Sequence, residues 1–296
     1  MSPPGRPKGE YRSAQHEGTP VTAQRTPGSG WTLRLKQTPA LRVDLRGITP
    51  GALAGLSVAA IERLPVGLGN ALVPLGEFFR IEARADASLV FDADLARFDR
   101  VGWQMDGGYV WVQGNVGDYA GGAMRSGEIR VPGQAGALAA CEMAGGTLRI
   151  NGDVGDFAAS TLPGSMDGMR GGTLVVGGNA GARFGDRMRR GTALVHGTVG
   201  DFLASRLVAG TIAVGGRVGA HPGFGMRRGS VVLLSAAPPL AATFVAAIAD
   251  APVFWQLLAR DLAQHGGAFA GLPRRRTERQ LGDVAVGGKG ELILVQ

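Results

Sequence analysis

A repeat of nineteen residues dominates the middle of the chain. The sequence reads GTLVVGGNAG from Gly172 to Gly181 and, nineteen residues later, GTALVHGTVG from Gly191 to Gly200. Six copies carry a G-x-x-G pair, and a seventh copy begins at Gly229. The pairs are Gly114/Gly117, Gly133/Gly136, Gly152/Gly155, Gly178/Gly181, Gly197/Gly200 and Gly216/Gly219. One step carries seven additional residues, in the segment around Pro163–Gly168.

Each copy begins with two apolar residues at alternating positions, as in Leu174/Val176 and Ala193/Val195. Alternation of this kind favours a β-strand with one buried face. Methionine marks one phase of the repeat at Met105, Met124, Met143, Met169, Met188 and Met226. Nineteen residues are too few for a propeller blade but suit one coil of a stack of parallel strands. The sequence therefore predicts a mainly β fold, a right-handed parallel β-helix (β-solenoid) of about six to seven 19-residue coils with α/β end caps.

The flanks of the repeat divide the chain into four predicted segments. They are a flexible tail over 1–30, an N-terminal capping segment over 31–104, the β-solenoid over 105–235, and a C-terminal helical cap and tail over 236–296. The uncharged stretch 229–249 is broken by Pro238 and Pro239, so we expect no membrane span. The predicted localisation is cytoplasmic.

Within the flanks, the pattern predicts a small number of elements. Apolar and polar residues alternate over Trp31–Leu35 and Leu41–Leu45, which predicts a pair of strands. A short helix is predicted over Ala52–Arg63. Leu240–Ala249 and Pro252–His265 are predicted to form two helices. An open terminal coil would recruit strands from other molecules. We therefore expect these helices to cover the end of the stack.

The composition excludes several kinds of site. The single cysteine, Cys141, rules out a disulfide framework and a Cys-based zinc or iron–sulfur site within the chain. The four histidines are separated along the sequence, so no metal site is predicted. Asp118, Asp156 and Asp201 follow alternate G-x-x-G pairs, which favours turn-forming residues over paired catalytic carboxylates. We find no catalytic constellation and predict no catalytic residue in this chain.

Arginine follows the column methionine in four of six copies, and the formal net charge of the chain is +7. Stacking would align these arginines along one edge of the fold. The candidate residues are Arg125, Arg170, Arg189 and Arg227, supported by Arg190 and Arg228. One interpretation is a solvated corner. The other is an anion-binding edge for an acidic partner subunit or an extended polyanionic ligand. Nucleic acid is not favoured, because no aromatic residues interleave with the arginines.

The repeat resembles one shared by the C-terminal domain of the glutamate synthase large subunit and by the C subunit of formylmethanofuran dehydrogenase. The second resemblance is closer and covers residues 43–235. It includes the approach Ile48-Thr49-Pro50, the stretch Leu53–Ser57 and Leu75-Gly76-Glu77-Phe78. That family has a bacterial branch, the formyltransferase/hydrolase complex of methylotrophs.

The resemblance implies a non-catalytic structural subunit of such a complex. The complex transfers a formyl group from formyl-tetrahydromethanopterin to a methanofuran-type coenzyme and releases formate, in one-carbon metabolism and formaldehyde oxidation. The implied partners are an amidohydrolase-type subunit, a formyltransferase subunit and a further subunit of the same hetero-oligomer, without nucleic acid or membrane. No cofactor is expected on this chain alone, although the glutamyl tail of the coenzyme could meet the arginine edge.

Two alternatives remain open at this point. One is a glutamate synthase-like β-helix domain that organises an amidotransferase. The other is a solenoid that binds an acidic polymer.

Overall fold

The computed structural model describes residues 30–247 and 251–296. The tail predicted over 1–30 therefore lies outside the described residues, except for Gly30. The strands are β1 Gly30–Leu35, β2 Val43–Asp44, β3 Pro65–Leu68, β4 Ala71–Pro74, β5 Phe79–Arg84, β6 Ser88–Asp92, β7 Phe98–Asp99, β8 Asp106–Val112, β9 Ser126–Val131, β10 Thr147–Ile150, β11 Arg170–Val176, β12 Arg190–Val195, β13 Thr211–Val214, β14 Ser230–Leu233, β15 Val245–Ala246, β16 Thr277–Gly282 and β17 Gly290–Val295. The helices are α1 Pro50–Leu53, α2 Val58–Glu62 and α3 Pro252–Ala263.

The described chain is mainly β and is built around one 13-stranded sheet. Its strand order is β15-β16-β17-β14-β13-β12-β11-β10-β9-β8-β6-β1-β5. From β6 to β14, leaving β7 aside, each strand pairs in parallel with the next one along the chain. Equivalent residues of successive repeats face each other, as Ala193 does with Ile212. A second, 4-stranded sheet has the order β4-β3-β2-β7.

A second column of parallel contacts runs beside the large sheet. It joins single residues of successive repeats, namely Leu95, Val116, Ala135, Val154, Ala180, Val199 and Val218. Each of these is the small apolar residue between the two glycines of a repeat, except Leu95. Leu95 belongs to a unit that precedes the first G-x-x-G pair, with Ala93 and Ala96 in place of its glycines. Parallel stacking therefore begins one unit earlier than the glycine pattern indicates.

The core lies between these columns. The predicted inward pairs are all buried, and Leu174 and Val176 are both 0% exposed. The column methionines are likewise buried. The predicted inward face is therefore confirmed.

The glycines of the G-x-x-G pairs are required by close approach rather than by backbone conformation. A Cβ on Gly197 would lie 2.5 Å from the backbone oxygen of Gly178, its equivalent in the preceding repeat. Positive φ occurs instead at the earlier glycine of each copy, such as Gly191 at φ 93°. Several corners take positive φ with other residues, including Phe157 and Phe202. Side chains at those corners contact one another, as Phe202 and His221 do with ring centroids 5.1 Å apart.

Two predictions for the N-terminal flank need correction. Trp31–Leu35 and Leu41–Leu45 are not paired with each other, because β1 pairs with β5 and β6 in the large sheet and β2 lies in the small one. The helix predicted over Ala52–Arg63 is divided into α1 and α2. Gly55 between them takes φ +75°, which ends α1, and Ser57 then caps α2.

The C-terminal flank also differs from prediction. The helix predicted over Leu240–Ala249 is wrong for its described residues, which contain a turn and β15. Helix α3 forms, but it packs against the outer face of the large sheet rather than its end. Trp255 and Leu262 cover Val175, Leu194 and Val232, which point away from the main core. Strand β17 pairs in parallel with β14 and so extends the parallel ladder by one strand.

Candidate binding surface at the arginine-rich edge

The repeat places four of the six candidate arginines, Arg125, Arg170, Arg189 and Arg227, in one row with two interruptions. The backbone N–H of Arg125, Arg189 and Arg227 each donates to the carbonyl of the column residue in the preceding repeat, at 2.8 Å. Ala144 and Val208 occupy the same row and make the same type of bond. Because Ala144 separates Arg125 from Arg170, the row is not a continuous ladder.

Five of the six predicted arginines line one open depression of about 570 Å³. We call it the basic depression; it is lined by Arg170, Arg189, Arg190, Arg227, Arg228, Val208 and Ala209. Arg125 is not among its lining residues. The small side chains of Val208 and Ala209 leave space between the arginines of the adjacent repeats. The gap in the row thus creates the depression.

The positive charge of the basic depression is largely uncompensated. Arg189 pairs with Asp167 at 2.5 Å. Across residues 30–247 and 251–296, the other four arginines have no carboxylate within ion-pair distance. Arg170 and Arg190 are register partners on adjacent strands, so two like charges face each other. Such a surface is suited to binding carboxylates or phosphates.

A second depression of about 490 Å³ adjoins the basic one. We call it the apolar groove; its apolar side chains are Met166, Val208, Phe224, Ala285 and Val286. It shares Arg189, Val208 and Arg227 with the basic depression. Met166 and Phe224 are 64% and 55% exposed, unusually high for large apolar side chains.

Sequence reasoning missed the apolar groove. Met166 lies in the seven-residue addition to the repeat, and Val286 lies in a turn after β16. The addition was a visible signal, because loops that interrupt a regular scaffold often carry function. Nothing in the sequence indicated that residues 166, 224 and 286 meet.

The walls of the groove are fixed by buried polar contacts. Asp186 is buried and accepts from Arg206 at 2.6 Å and 3.0 Å and from the hydroxyl of Ser205 at 2.5 Å. Asp283 accepts from the backbone N–H of Gly225 and Ala285, both at 3.0 Å. Burial opposes ionisation of Asp283, but hydrogen bonds from Thr243, Gly225 and Ala285 outweigh it and lower the pKa of its carboxyl. Asp186 and Asp283 thus serve the structure of the groove.

The recurring aspartates serve the stack rather than a reaction. The carboxylates of Asp118, Asp156 and Asp201 accept from the backbone N–H of Ala137, Ala182 and Ala220, at 2.7 Å to 2.9 Å. We predicted turn-forming aspartates, but each carboxylate binds the backbone of the next repeat rather than its own turn.

Cys141 is buried, and His196 and His265 are partly buried. Burial, with a smaller effect of Glu142, raises the pKa of the Cys141 thiol to about 12, so the thiol stays protonated at neutral pH. His196 and His265 approach each other where α3 meets the sheet, and burial lowers the pKa of both. Among the described residues, no three His, Cys, Asp or Glu side chains are grouped as a metal ion would require.

A larger depression, of about 680 Å³, lies over β6 and β8 beside Tyr109 and Trp111. Its only arginine, Arg84, is paired with Asp86 at 2.7 Å. It therefore lacks the free charge of the basic depression.

No helix in the described part of the chain has the length and apolarity needed to span a bilayer.

Comparisons with known proteins bear on this geometry. No protein-family model matches the chain. A chain in the X-ray crystal structure of the formyltransferase/hydrolase complex (FhcABCD) from Methylorubrum extorquens, in complex with methylofuran, is 43% identical. The TM-score is 0.84, and the match covers 89% of this chain and 98% of that chain.

Two curated proteins agree with this match over shorter stretches. The C subunit of the formyltransferase/hydrolase complex Fhc of Methylorubrum extorquens is 44% identical over 86 residues, 29% of this chain and 32% of that protein. The C subunit of the tungsten-containing formylmethanofuran dehydrogenase 2 of Methanothermobacter marburgensis is 32% identical over 91 residues, 29% of this chain and 34% of that protein. These alignments span about a third of the curated relatives, whereas the structural match spans nearly all of the solved chain. The closer of the two resemblances drawn from the repeat is confirmed: the chain belongs to the family formed by the C subunits of Fhc and of formylmethanofuran dehydrogenase.

Proposed function

We propose that this chain is the non-catalytic structural subunit of a cytoplasmic formyltransferase/hydrolase complex. The match to a chain of the FhcABCD complex over 98% of that chain carries the proposal. The proposed reaction of the whole complex is formyl transfer from formyl-tetrahydromethanopterin to a methanofuran-type coenzyme, followed by release of formate. The proposed partners are an amidohydrolase-type subunit, a formyltransferase subunit and one further subunit.

The proposed architecture suits a structural role. We interpret the repeats as coils of a right-handed parallel β-helix over residues 105–235, flanked by capping segments over 31–104 and 236–296. The register of equivalent residues in β8 to β14 and the second column of contacts support this interpretation. Stacked repeats present long, rigid faces on which several partners can assemble at once. The glutamate synthase-like alternative has no observation of its own in the structure.

The arginines are the proposed point of contact with acidic groups. Methanofuran-type coenzymes carry glutamyl carboxylates, and Arg170, Arg190, Arg227 and Arg228 are exposed guanidinium groups of the right charge to meet them. An acidic surface of a partner subunit would fit the same groups. Arg125 lies outside the basic depression and would act separately.

Co-purification tests this proposal. The full-length chain with an affinity tag is isolated from its source cells, and the retained proteins are identified by mass spectrometry. We expect an amidohydrolase-type and a formyltransferase subunit in fixed ratio to the tagged chain. Recovery of glutaminase or flavin-domain proteins instead would favour the glutamate synthase-like alternative.

A further inference from the structure

We propose that the basic depression and the apolar groove form one docking site for an acidic segment of a partner protein subunit. The segment inserts one apolar side chain into the groove and places carboxylates among the arginines. This inference rests on the proposed function, because it assumes that the chain has partner subunits.

The arginines of the basic depression carry uncompensated positive charge. Arg170, Arg190, Arg227 and Arg228 gather on adjacent repeats without an intramolecular carboxylate in the described ranges. Lys289 lies next to Arg228, directly before the following strand β17, because its backbone N–H donates to the carbonyl of Arg227 at 2.7 Å. Like charges placed this closely repel one another, and a bound anion removes that repulsion. The surface is therefore complementary to a group of several negative charges.

The apolar groove determines what kind of anion fits. Met166, Phe224 and Val286 stay exposed to water in this chain, although each would be stabilised by burial. A small anion or an all-glutamyl chain leaves that surface uncovered. A peptide that alternates acidic and apolar side chains covers both depressions at once, since they share Arg189, Val208 and Arg227. We therefore commit to a protein segment as the occupant.

Ion pairs and hydrogen bonds within the chain hold the walls of the groove in place. Asp167 holds Arg189, Asp186 holds Arg206, and Asp283 holds the backbone of Gly225. A site whose walls are already fixed loses little conformational entropy on binding. The one departure from the 19-residue spacing among the glycine pairs supplies both Met166 and Asp167. The seven-residue addition to the repeat thus forms part of the wall of the apolar groove.

Cross-linking in the assembled complex tests the identity of the occupant. A photoreactive phenylalanine analogue replaces Phe224 in the tagged chain, and the complex is irradiated after purification. We expect a cross-link to a peptide of another subunit that has net negative charge and an apolar residue near the linked position. A cross-link to a basic peptide, or no cross-link to protein in an intact complex, overturns the proposal.

Variants separate the two halves of the site. Replacing Arg170, Arg190, Arg227 and Arg228 with Gln should lower retention of the contacting subunit by about tenfold at low salt. Met166→Gln with Val286→Gln should lower it several-fold at low and high salt alike, because screening does not weaken apolar contact. The matched control replaces four arginines with Gln at exposed positions outside both depressions, and it should retain all subunits. These are Arg63, Arg80, Arg274 and Arg276.

The outcomes are distinguishable from failure of the proposed function. If the unmodified tagged chain retains no partner subunit, the proposed function fails first. If it retains its partners and both variant sets retain them equally well, only the docking site is wrong. Poly-γ-glutamate provides the competing occupant: if it displaces no subunit yet binds the isolated chain through the same arginines, the site belongs to a glutamyl ligand and the protein-segment proposal is overturned.

Discussion

The carboxylate of Asp156 accepts a hydrogen bond at 2.7 Å from the backbone N–H of Ala182, the residue at the same position of the next repeat. At this position an aspartate satisfies the backbone N–H of the following repeat. The contact does not require a small residue there, because Asp99 accepts from the N–H of Asp118 at 2.8 Å. The same relation links Asp118 to Ala137 and Asp201 to Ala220.

Loss of one such hydrogen bond between repeats should lower the stability of the fold only modestly. We expect Asp156→Ala to lower the free energy of unfolding by about 1 kcal/mol, the usual value of a partly exposed hydrogen bond. Asp156→Asn keeps an acceptor oxygen and should lose less. Urea unfolding followed by circular dichroism measures both. Equal stability of the alanine variant and the parent would show that the carboxylate does not support the stack.

The buried face of the repeat is the next test. Val176→Asp places an unpaired charge at a position that is 0% exposed, which costs several kcal/mol. We expect this variant to be recovered unfolded or aggregated. Val253→Asp is the matched control, because Val253 is 73% exposed on α3, and it should keep parental stability. Full stability of Val176→Asp would mean that the inward face is assigned wrongly.

The paired glycines make a separate prediction. Gly197→Ala brings a Cβ to 2.5 Å from the backbone of Gly178, so adjacent repeats must move apart. Overpacking of this kind typically costs about 1–3 kcal/mol. Gly51→Ala has nothing within 4 Å of the new Cβ and should be neutral or slightly stabilising, because alanine favours a helix over glycine. Thermal unfolding should show a lowered melting temperature for Gly197→Ala alone; similar melting temperatures would contradict close approach as the reason for the glycines.

The junction of α3 with the sheet should respond to pH. Burial, and then the nearby His265, lowers the pKa of His196 below 6.5. For His265, burial and then Arg149 lower the pKa, and Asp261 opposes them. As the pH falls through 6.5, these histidines are therefore protonated in the unfolded chain before they are protonated in the folded chain. The part of the free energy of unfolding that depends on neutral histidines is present above pH 6.5 and is lost below it.

Urea unfolding at about pH 7.5 and about pH 5.5 checks this expectation. The parent should be less stable at the lower pH, and the variant with both His196→Asn and His265→Asn should lose less. His221→Asn, at an exposed histidine, should behave as the parent does. An unchanged pH dependence in the double variant would remove these histidines from the explanation.

Much of the repeat could be predicted because its physical causes are local. Glycine spacing and apolar alternation identify the strands, their partners and the buried columns. The unit around Leu95 was not recognised as a repeat, because Ala93 and Ala96 stand where the later repeats have glycine and are small enough to replace it. The apolar surface of α3 was visible in its sequence, but an amphipathic pattern does not specify which surface it covers. Helix α3 covers the outer face of the sheet because that face is apolar at Val175, Leu194 and Val232.

The candidate site was only half predictable. The arginines share a phase of the repeat, so stacking alone brings Arg189 and Arg190 near Arg170. The apolar groove joins residues from three separate parts of the chain, and only the fold brings Met166 to Phe224 and Val286.

Formate release measures the central claim most directly. Formyl-tetrahydromethanopterin and the methanofuran-type coenzyme are supplied to the purified complex and, separately, to this chain alone, with partner proteins shown to be absent by mass spectrometry. We expect formate from the complex that contains this chain and none from the isolated chain. Turnover by the isolated chain, or a fully active complex that does not contain it, would contradict the assignment of a structural subunit.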